Sequence, residues 1–266
     1  MAKLSSIIQY NGSLDGLTAY NLEGVEGKVV RMQGGPTKEQ VQHASEFVNT
    51  RKNNKETAGR SIATGFIMAA FGGLRPAADQ SCGGRLNALL IPAQEMDTTS
   101  EWGQRHMHLS AAPRLLEGFT LRKVYPLEGV LHNPVYSTVD KTTASAIVDV
   151  PVLLPGANFS VPKGLPFCRL VAALGVVPDL WYTPAFDHYF PHPQFTPVMA
   201  QTVYGDWFPA LEGTLATSLS LTLPQVPAVN RYSLLLTFGV QWGTVGAGGS
   251  VKLNRKVKSA RIERLV

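Results

Sequence analysis

Two stretches of strict alternation near the end of the chain constrain its fold most. Residues 215–223 carry leucine or threonine at every odd position and small or polar residues between them. Residues 232–242 carry large apolar residues at every even position, ending in Trp242. A period of two residues is that of a β-strand, because successive side chains point to opposite faces. Both stretches therefore predict strands with one apolar face.

More strands are predicted on either side of these two. Even positions from Ala146 to Leu154 form a third apolar face, and residues 170–177 are continuously apolar, which is typical of a strand buried on both faces. Prolines fall between the runs, where they remove no ladder hydrogen bond. They are Pro155, Pro162, Pro178, Pro209, Pro224 and Pro227. Several strands at this spacing predict an antiparallel β-sandwich over residues 113–266.

Residues 36–112 are predicted to be helical. Thr37 and Gln40 have the spacing of a capping box, which begins a helix. Asn53-Asn54 is predicted to break this helix, and a second one is expected over 58–71 and a third over 82–95. The apolar positions that would share a face of the first helix are Val41, Ala44, Phe47 and Val48.

Residues 1–35 are predicted to form an N-terminal β arm or hairpin. Asn11-Gly12 and Asp15-Gly16 are turn dipeptides, and Ile7 and Ile8 are β-formers beside them. Two or three short strands bury too little surface to be stable alone, so we expect the arm to lie on the rest of the chain or on another copy. The predicted fold class is therefore α+β and mainly β, with an arm, a helical segment and a sandwich.

The charges are few and unevenly spread. Only 16% of the 266 residues are charged, below the roughly 25% of a typical soluble domain, which favours a surface partly covered by partners. Residues 28–60 hold seven basic and three acidic residues, and 252–264 hold six and one, so the rest of this +5 chain is net −4. Such basic segments suit a solvated face, a contact with acidic faces of other copies, or nucleic acid.

No sequence pattern indicates catalysis, a cofactor or a metal. The chain has no nucleophile elbow, Walker loop, dinucleotide fingerprint or zinc-protease motif, and its carboxylates are scattered. His188 with His192, and His106 with His108, are too few for a closed metal site. Cys82 and Cys168 are far apart and predict neither a disulfide nor a zinc site. We therefore expect a non-enzymatic protein.

The sequence limits where the protein is made but not where it acts. No apolar stretch predicts a signal peptide or a membrane span, so synthesis in a reducing cytoplasm is expected, with the final location open.

The basic segment 28–60 is a candidate for nucleic-acid binding. Arg51, Lys52, Lys55 and Arg60 could contact phosphates, but Phe47 is the only aromatic residue near them and no base-reading motif is present. Nucleic acid is therefore an unlikely partner of the protein.

Short motifs are spread along the chain, namely Tyr20, Gly27, Arg31, Phe47, Thr50-Arg51-x-Asn53, Ala58-Gly59-Arg60, Arg85-Leu86, Gly103-Gln104-Arg105 and Leu115–Phe119. In these motifs the chain resembles a family of small, uncharacterised proteins from Bacteroidota and their phages. The resemblance spans most of the chain and implies a helical insert on a β-sandwich, with no established activity and no catalytic residue to transfer. Residues 178–210, rich in proline and aromatic residues, depart from the family pattern.

The sequence thus predicts a structural protein that assembles with copies of itself into a filament, tube or coat. The arm and the strand edges would be the connectors, because unpaired edges readily pair with another chain. A phage virion or tail component with other structural partners, and a weak, sequence-independent nucleic-acid binder, are the alternatives. The candidate subunit contacts are Tyr20, Arg31, Phe47, Arg51, Arg60, Arg105, Arg261 and Arg264.

Overall fold

The computed structural model describes residues 2–4, 12–22, 25–32 and 34–266. The fold is α+β and mainly β, with 25% of the residues in helices and 37% in strands, and its sheets are antiparallel. The predicted fold class is therefore confirmed. The chain divides into two compact units, Met1–Arg51 and Lys52–Val266, so the predicted helical segment falls mostly in the same unit as the predicted sandwich.

The first unit contains a four-stranded sheet and a short helix. The sheet has the order β1-β4-β3-β2, and a tight turn at Asp15-Gly16 joins β2 to β3. Both turn residues have positive φ, 46° and 76°, as predicted for this dipeptide. The predictions for Asn11, Ile7 and Ile8 lie outside the described residues. The strands are β1 (Ala2–Leu4), β2 (Gly12–Leu14), β3 (Leu17–Asn21) and β4 (Lys28–Met32).

Helix α1 (Lys38–His43) begins at the predicted capping box. The Thr37 hydroxyl accepts from the Gln40 amide at 3.2 Å, and the Gln40 side chain accepts from the Thr37 amide at 2.8 Å. The helix is shorter than predicted, because Ala44 is extended and a 3₁₀ turn follows at Ser45–Phe47. None of the side chains of α1 is buried, so the predicted apolar face does not form a core.

The predicted break at Asn53-Asn54 is wrong. Helix α2 (Val48–Ala70) runs continuously through both residues. An asparagine in a helix interior costs only about 0.7 kcal/mol or less relative to alanine, which tertiary packing of a long helix easily offsets. Ala63, Ile67 and Ala70 provide that packing, because all three are buried.

The predicted helix over 82–95 is interrupted at Leu90. It forms α3 (Cys82–Leu89) and α4 (Ile91–Glu95), with Pro92 in the first turn of α4. Proline has no amide hydrogen to continue the α3 ladder, but it is well tolerated at a helix start. The stretch from Glu101 to Leu109 is not an α-helix, and Met107 pairs with Leu180 instead.

The second unit is built around a sheet of order β10-β7-β13-β14, in which the short β11 also pairs with β7. A three-stranded sheet, β12-β6-β5, packs on one face, and β8 and β9 form a separate hairpin. The strands are β5 (Tyr136–Asp140), β6 (Ser145–Val150), β7 (Phe167–Pro178), β8 (Leu180–Thr183), β9 (His188–Pro191), β10 (Gln201–Tyr204), β11 (Phe208–Pro209), β12 (Thr217–Thr222), β13 (Tyr232–Val245) and β14 (Val251–Leu265).

The central sheet is buried on both faces. One face of β13, with Leu234, Phe238 and Trp242, belongs to the core shared with the three-stranded sheet. The opposite face, with Leu235, belongs to a second core shared with the helices. The alternation in residues 232–242 therefore separates two buried environments, and the predicted sandwich carries a helical layer on its other side. The helix-side core includes Ala63, Ile67, Phe71, Leu74, Leu86, Ala173, Val177 and Ile262.

Two predicted apolar faces are shorter in the structure than the alternation predicts. Leu215 lies before β12 and is 80% exposed, and Val152 and Leu154 are exposed beyond the end of β6. After Pro151 the odd-numbered rather than the even-numbered residues face the core, so that Leu153 is buried and pairs with Thr214. A single proline between runs can shift which residues face the core, and the alternation alone does not reveal this shift.

Helix α2 lies directly against Gly175 of β7. A Cβ atom built on Gly175 would lie 2.5 Å from the Cα and 2.6 Å from the Cβ of Ala70. Because backbone atoms cannot move aside like the end of a flexible side chain, this position accepts only glycine without displacing the helix.

We predict that Gly175→Ala lowers the free energy of unfolding by about 1–3 kcal/mol, the usual cost of overpacking a core. Gly65→Ala is the matched control: Gly65 lies in α2, and a Cβ there meets nothing within 4 Å. That change should stabilise the protein by about 0.5–1 kcal/mol through helix propensity. Urea unfolding curves would measure both, and equal midpoints for the two variants would contradict the close approach.

Candidate self-assembly surfaces

The sheet of the first unit presents two outer edges, β1 and β2. Among the described residues, β1 pairs only with β4 and β2 only with β3. All neighbours are antiparallel and the strands are four, so β1 and β2 run in opposite directions. The β1 edge of one copy is therefore oriented to pair antiparallel with the β2 edge of another copy in the same orientation.

The β2 edge offers its main chain at Ser13. In a two-residue hairpin, the residues that flank the turn, here Leu14 and Leu17, form a hydrogen-bonded pair, and the next pair does not. The next pair is Ser13 with Thr18, whose hydroxyl oxygens lie 2.9 Å apart. The amide and carbonyl of Ser13 therefore point away from β3, towards the outer edge.

A row of apolar side chains crosses this sheet next to the β2 edge. Leu14 is opposite Leu17, and Leu17 is opposite Met32, so the three side chains share one face on neighbouring strands. All three are exposed, Met32 to 80% and Leu14 to 59%. The buried apolar residues of this unit are few, namely Ala19, Val29 and Val30 among those described. The sheet thus exposes more large apolar side chains than it buries.

Four of the eight candidate contact residues lie in this first unit. The Arg31 guanidinium lies over the Tyr20 ring, 5.7 Å from its centroid. Both side chains lie on the face of the sheet opposite the apolar row. Arg51 donates from Nη1 to the carbonyls of Val41 at 2.9 Å and Ala44 at 2.8 Å, which closes the end of α1. Phe47 is half-buried in the 3₁₀ turn. Arg51 is therefore occupied within its own unit.

Arg105 forms the most enclosed ion pair of the second unit. Its Nε and Nη2 donate to the two carboxylate oxygens of Glu56 at 2.6 and 2.7 Å, and Glu56 is only 2% exposed. The Gly103 amide adds a third hydrogen bond to this carboxylate at 2.9 Å. Burial alone would raise the pKa of Glu56, but the hydrogen bonds from Arg105 and Gly103 outweigh it and hold the pKa below its ordinary value.

Two further polar side chains tie this ion pair to β9 and α4. The Arg105 carbonyl accepts from the Tyr189 hydroxyl at 3.0 Å and from Gln94 Nε2 at 3.2 Å. Gln94 also accepts from Arg60 at 2.6 Å. Arg60 is thus an internal donor too. Sequence reasoning missed Glu56, Gln94 and Tyr189, because they are 38 to 133 residues away from one another and no local motif links them.

The two C-terminal candidates are also paired within the chain. Arg261 Nη1 donates to Glu128 and its Nε to Glu263, both at 2.7 Å. Arg264 lies 3.5 Å from a Glu117 carboxylate oxygen. The arginines of the second unit that the sequence singled out as subunit contacts therefore all have partners inside the second unit.

The histidines considered as metal ligands have other contacts. His106 Nδ1 accepts from the Tyr182 amide at 3.1 Å, and the His106 and His108 rings stack at 5.6 Å. His192 lies edge-on to Trp181 at 5.9 Å, and His188 contacts Phe190 at 5.0 Å. Within the ranges described, no three His, Cys, Asp or Glu side chains are grouped to hold a metal.

The β8–β9 hairpin carries a second exposed apolar surface. A groove of about 800 Å³ is lined mainly by aromatic side chains and prolines. Phe186, at its rim, is 72% exposed and lies 5.8 Å from the Phe190 ring. The hairpin tip is held by an ion pair of 2.7 Å between Asp187 and Lys55. Residues 181–195 thus build a distinct surface. The rings that line the groove are those of Trp181, Phe186, Phe190, His192 and Phe195.

Comparison of this chain with protein-family models, curated proteins and solved structures finds no match in any of the three. In the part of the chain that the structure describes, no helix combines the length and apolarity needed to cross a membrane.

We predict that Glu56→Gln lowers the free energy of unfolding at pH 7 by about 1.5–3 kcal/mol, because it replaces hydrogen bonds to a charged group. Since the folded-state pKa of Glu56 lies below its ordinary value of 4.5, its contribution is complete above that pH and is lost as the pH falls towards the folded-state pKa. The variant should therefore lose less stability than the wild type on acidification.

Urea unfolding between pH 3 and 7 would measure this difference. Glu101→Gln is the control, because Glu101 is exposed in the loop that carries Gly103 and Arg105, and its side chain makes no ion pair among those described. A wild-type pH dependence shared fully by the Glu56 variant would exclude the role of this carboxylate.

Proposed function

We propose that this protein is a non-enzymatic structural protein that assembles head-to-tail with copies of itself through its N-terminal sheet. The observation that carries the proposal is the opposite direction of the two outer strands of that sheet. An edge that can pair with the other edge of the next copy repeats without closing on itself, and such heterologous contacts produce filaments or tubes.

The apolar row beside the β2 edge supports the same contact. A next copy whose sheet continues from β2 would place its first strand beside Leu14, with Leu17 and Met32 on the next two strands of the same face. Burying a leucine side chain fully contributes about 1.5–3 kcal/mol, so covering Leu14 adds substantially to the main-chain hydrogen bonds. Exposed apolar edge strands are otherwise aggregation hazards, which natural proteins usually block with charges or proline.

The composition of the chain is consistent with this proposal. Only 16% of residues are charged, and the β8–β9 hairpin exposes a further aromatic surface. Large exposed apolar patches are uncommon on monomers and mark interaction sites. The right-handed twist of a growing sheet would make the assembly helical, and the form of that helix depends on the bulk of the second unit.

We predict that Ser13→Pro abolishes assembly, because proline removes the outward amide of β2 while the hydrogen-bonded pairs on either side of Ser13 keep their bonds to β3. Ser13→Ala keeps the amide and is the matched control. Sedimentation velocity and negative-stain microscopy should show long assemblies for the wild type and Ser13→Ala, and monomers for Ser13→Pro. A wild type that remains monomeric at high concentration would refute the proposal.

We also predict that Leu14→Ser raises the critical concentration for assembly at least tenfold, since it removes the member of the apolar row that lies on the edge strand. Leu154→Ser is the control, because Leu154 is similarly exposed, at 53% against 59% for Leu14, and lies in the second unit. Turbidity or pelleting across a concentration series would measure the critical concentration. Equal effects of the two substitutions would mean that the row is not in the contact.

A further inference from the structure

The hairpin of β13 and β14 contains a wide bulge on the β14 side. Gly243 is opposite Leu253, whereas Gln241 is opposite Lys258, so residues 254–257 have no regular partner. The Asn254 side chain closes this bulge by accepting from the amides of Lys256 at 2.8 Å and Val257 at 3.0 Å. Bulges re-aim side chains and are frequent at functional sites. Two cations of this bulge, Arg255 and Lys256, are exposed to solvent.

A third cation reaches the bulge from another segment. Residues 118–121 run along the outer edge of β14, where the Leu121 amide donates to the Ala260 carbonyl at 2.9 Å. The next residue, Arg122, donates from Nη1 to the Lys256 carbonyl and from Nε to the Ala77 carbonyl at 3.3 Å. The guanidinium of Arg122 is therefore fixed beside the bulge by main-chain acceptors, without a carboxylate.

A fourth cation, Lys258, lies behind the bulge and is only 4% exposed. Its ammonium makes one long hydrogen bond, of 3.4 Å, to the Pro76 carbonyl. Burial lowers the pKa of Lys258, and the charges of Arg122 and Arg255 lower it further. A buried lysine is normally paired with an acid, but among the described residues none of these four cations takes part in an ion pair.

The nearest carboxylates along these segments are engaged elsewhere. Asp79 accepts from the Lys123 amide at 3.0 Å and forms its ion pair with Arg85 at 3.4 Å. Glu263 and Glu128 both bind Arg261. The positive charge at the bulge is therefore not neutralised by the acids of its own surroundings, and clustering of like charges favours an anionic ligand.

We propose that this basic cluster (Arg122, Arg255, Lys256 and Lys258) binds the phosphate backbone of a nucleic acid. Guanidinium groups match phosphate oxygens in a bidentate geometry, which the exposed Arg255 can use, whereas Arg122 has Nη2 left to donate because its Nε and Nη1 bind main-chain carbonyls. Lys258 contributes charge from behind. The members are all cations with no stacking ring, so backbone contacts without sequence preference are expected.

The cluster also has the extent of a polymer site. Lys252 is exposed on the same strand and is opposite Thr244, whereas Lys258 is opposite Gln241, so the two lysines are separated by three residues of β13, about 10 Å. Cations spread over this distance suit two or three phosphates of one nucleic-acid strand better than a single phosphate ion. This inference is independent of the proposed self-assembly and differs from the sequence-based candidate patch, in which Arg51, Arg60 and Lys55 have internal partners.

Fluorescence anisotropy with a labelled, mixed-sequence DNA duplex of about one to two helical turns tests the proposal between 20 and 200 mM NaCl. The wild type should bind at low salt, with an affinity that falls linearly on a logarithmic salt scale. The double variant Arg255→Ser/Lys256→Ser keeps Asn254 and hence the bulge. It should bind at least tenfold more weakly and reduce the salt slope by about 1.8, that is, by two phosphate contacts.

The charge-matched control is Lys163→Ser/Arg231→Ser, since both residues are exposed and neither forms an ion pair among the described residues. It should bind within about twofold of the wild type. Sedimentation velocity and urea unfolding verify that all variants share the wild-type assembly state and stability. Equal losses in the two double variants, or no wild-type binding at 20 mM NaCl, overturn the proposal.

Two further measurements distinguish other sources of phosphate. Sodium phosphate and NaCl solutions of equal ionic strength should displace the duplex to the same extent. Stronger displacement by phosphate would assign the cluster to a free phosphate ion instead. Vesicles containing phosphatidylserine should not bind in a manner that depends on Arg255 and Lys256. Vesicle binding of that kind, without duplex binding, would identify a membrane surface as the partner and overturn the assignment to nucleic acid.

Discussion

The pairing of β7 with β13 is the constraint on which the second unit depends. Their register runs unbroken from Tyr232 opposite Pro178 to Gly243 opposite Phe167, and both strands are buried on both faces. Because neither face of these strands contacts solvent, one face is covered by the three-stranded sheet and the other by the helices. The close approach of α2 at Gly175 is a consequence, because small residues in β7 let the helix backbone lie directly on the strand.

Two groups of basic side chains in the second unit differ in whether a carboxylate neutralises them. Arg105 and Arg261 are held by carboxylates that are themselves buried, so these pairs fix loops and strands to the helices and to the sheet. Removing one partner of such a pair leaves the other charge unpaired in a low-dielectric environment, so each of these side chains requires its partner. Arg122, Arg255 and Lys256 are placed by main-chain acceptors and a bulge instead, which leaves their charge available to an external anion.

The two proposals assign different parts of the chain to different partners. The N-terminal sheet would join copies through main-chain hydrogen bonds and an apolar row, whereas the bulge of β14 would meet phosphates. Repetition of a weak phosphate site along an assembly multiplies its effective strength, because each bound site raises the local concentration for the next. A structural polymer that coats or organises nucleic acid is the combined function that these two surfaces would support.

The sequence by itself determined the fold class, the positions of β7 and β13, the capping box at Thr37 and the Asp15-Gly16 turn, since each follows from local periodicity or local backbone chemistry. It did not locate β14, the longest strand described. It failed at Asn53-Asn54 and after Pro151, where packing outweighed a local preference. The partners of Arg60, Arg105 and Arg261, the helical layer on the second face of β13, and the convergence of Arg122 with the β14 bulge were decided only by the tertiary structure. These depend on contacts between residues far apart in the chain, and neither spacing nor composition encodes which distant segments meet.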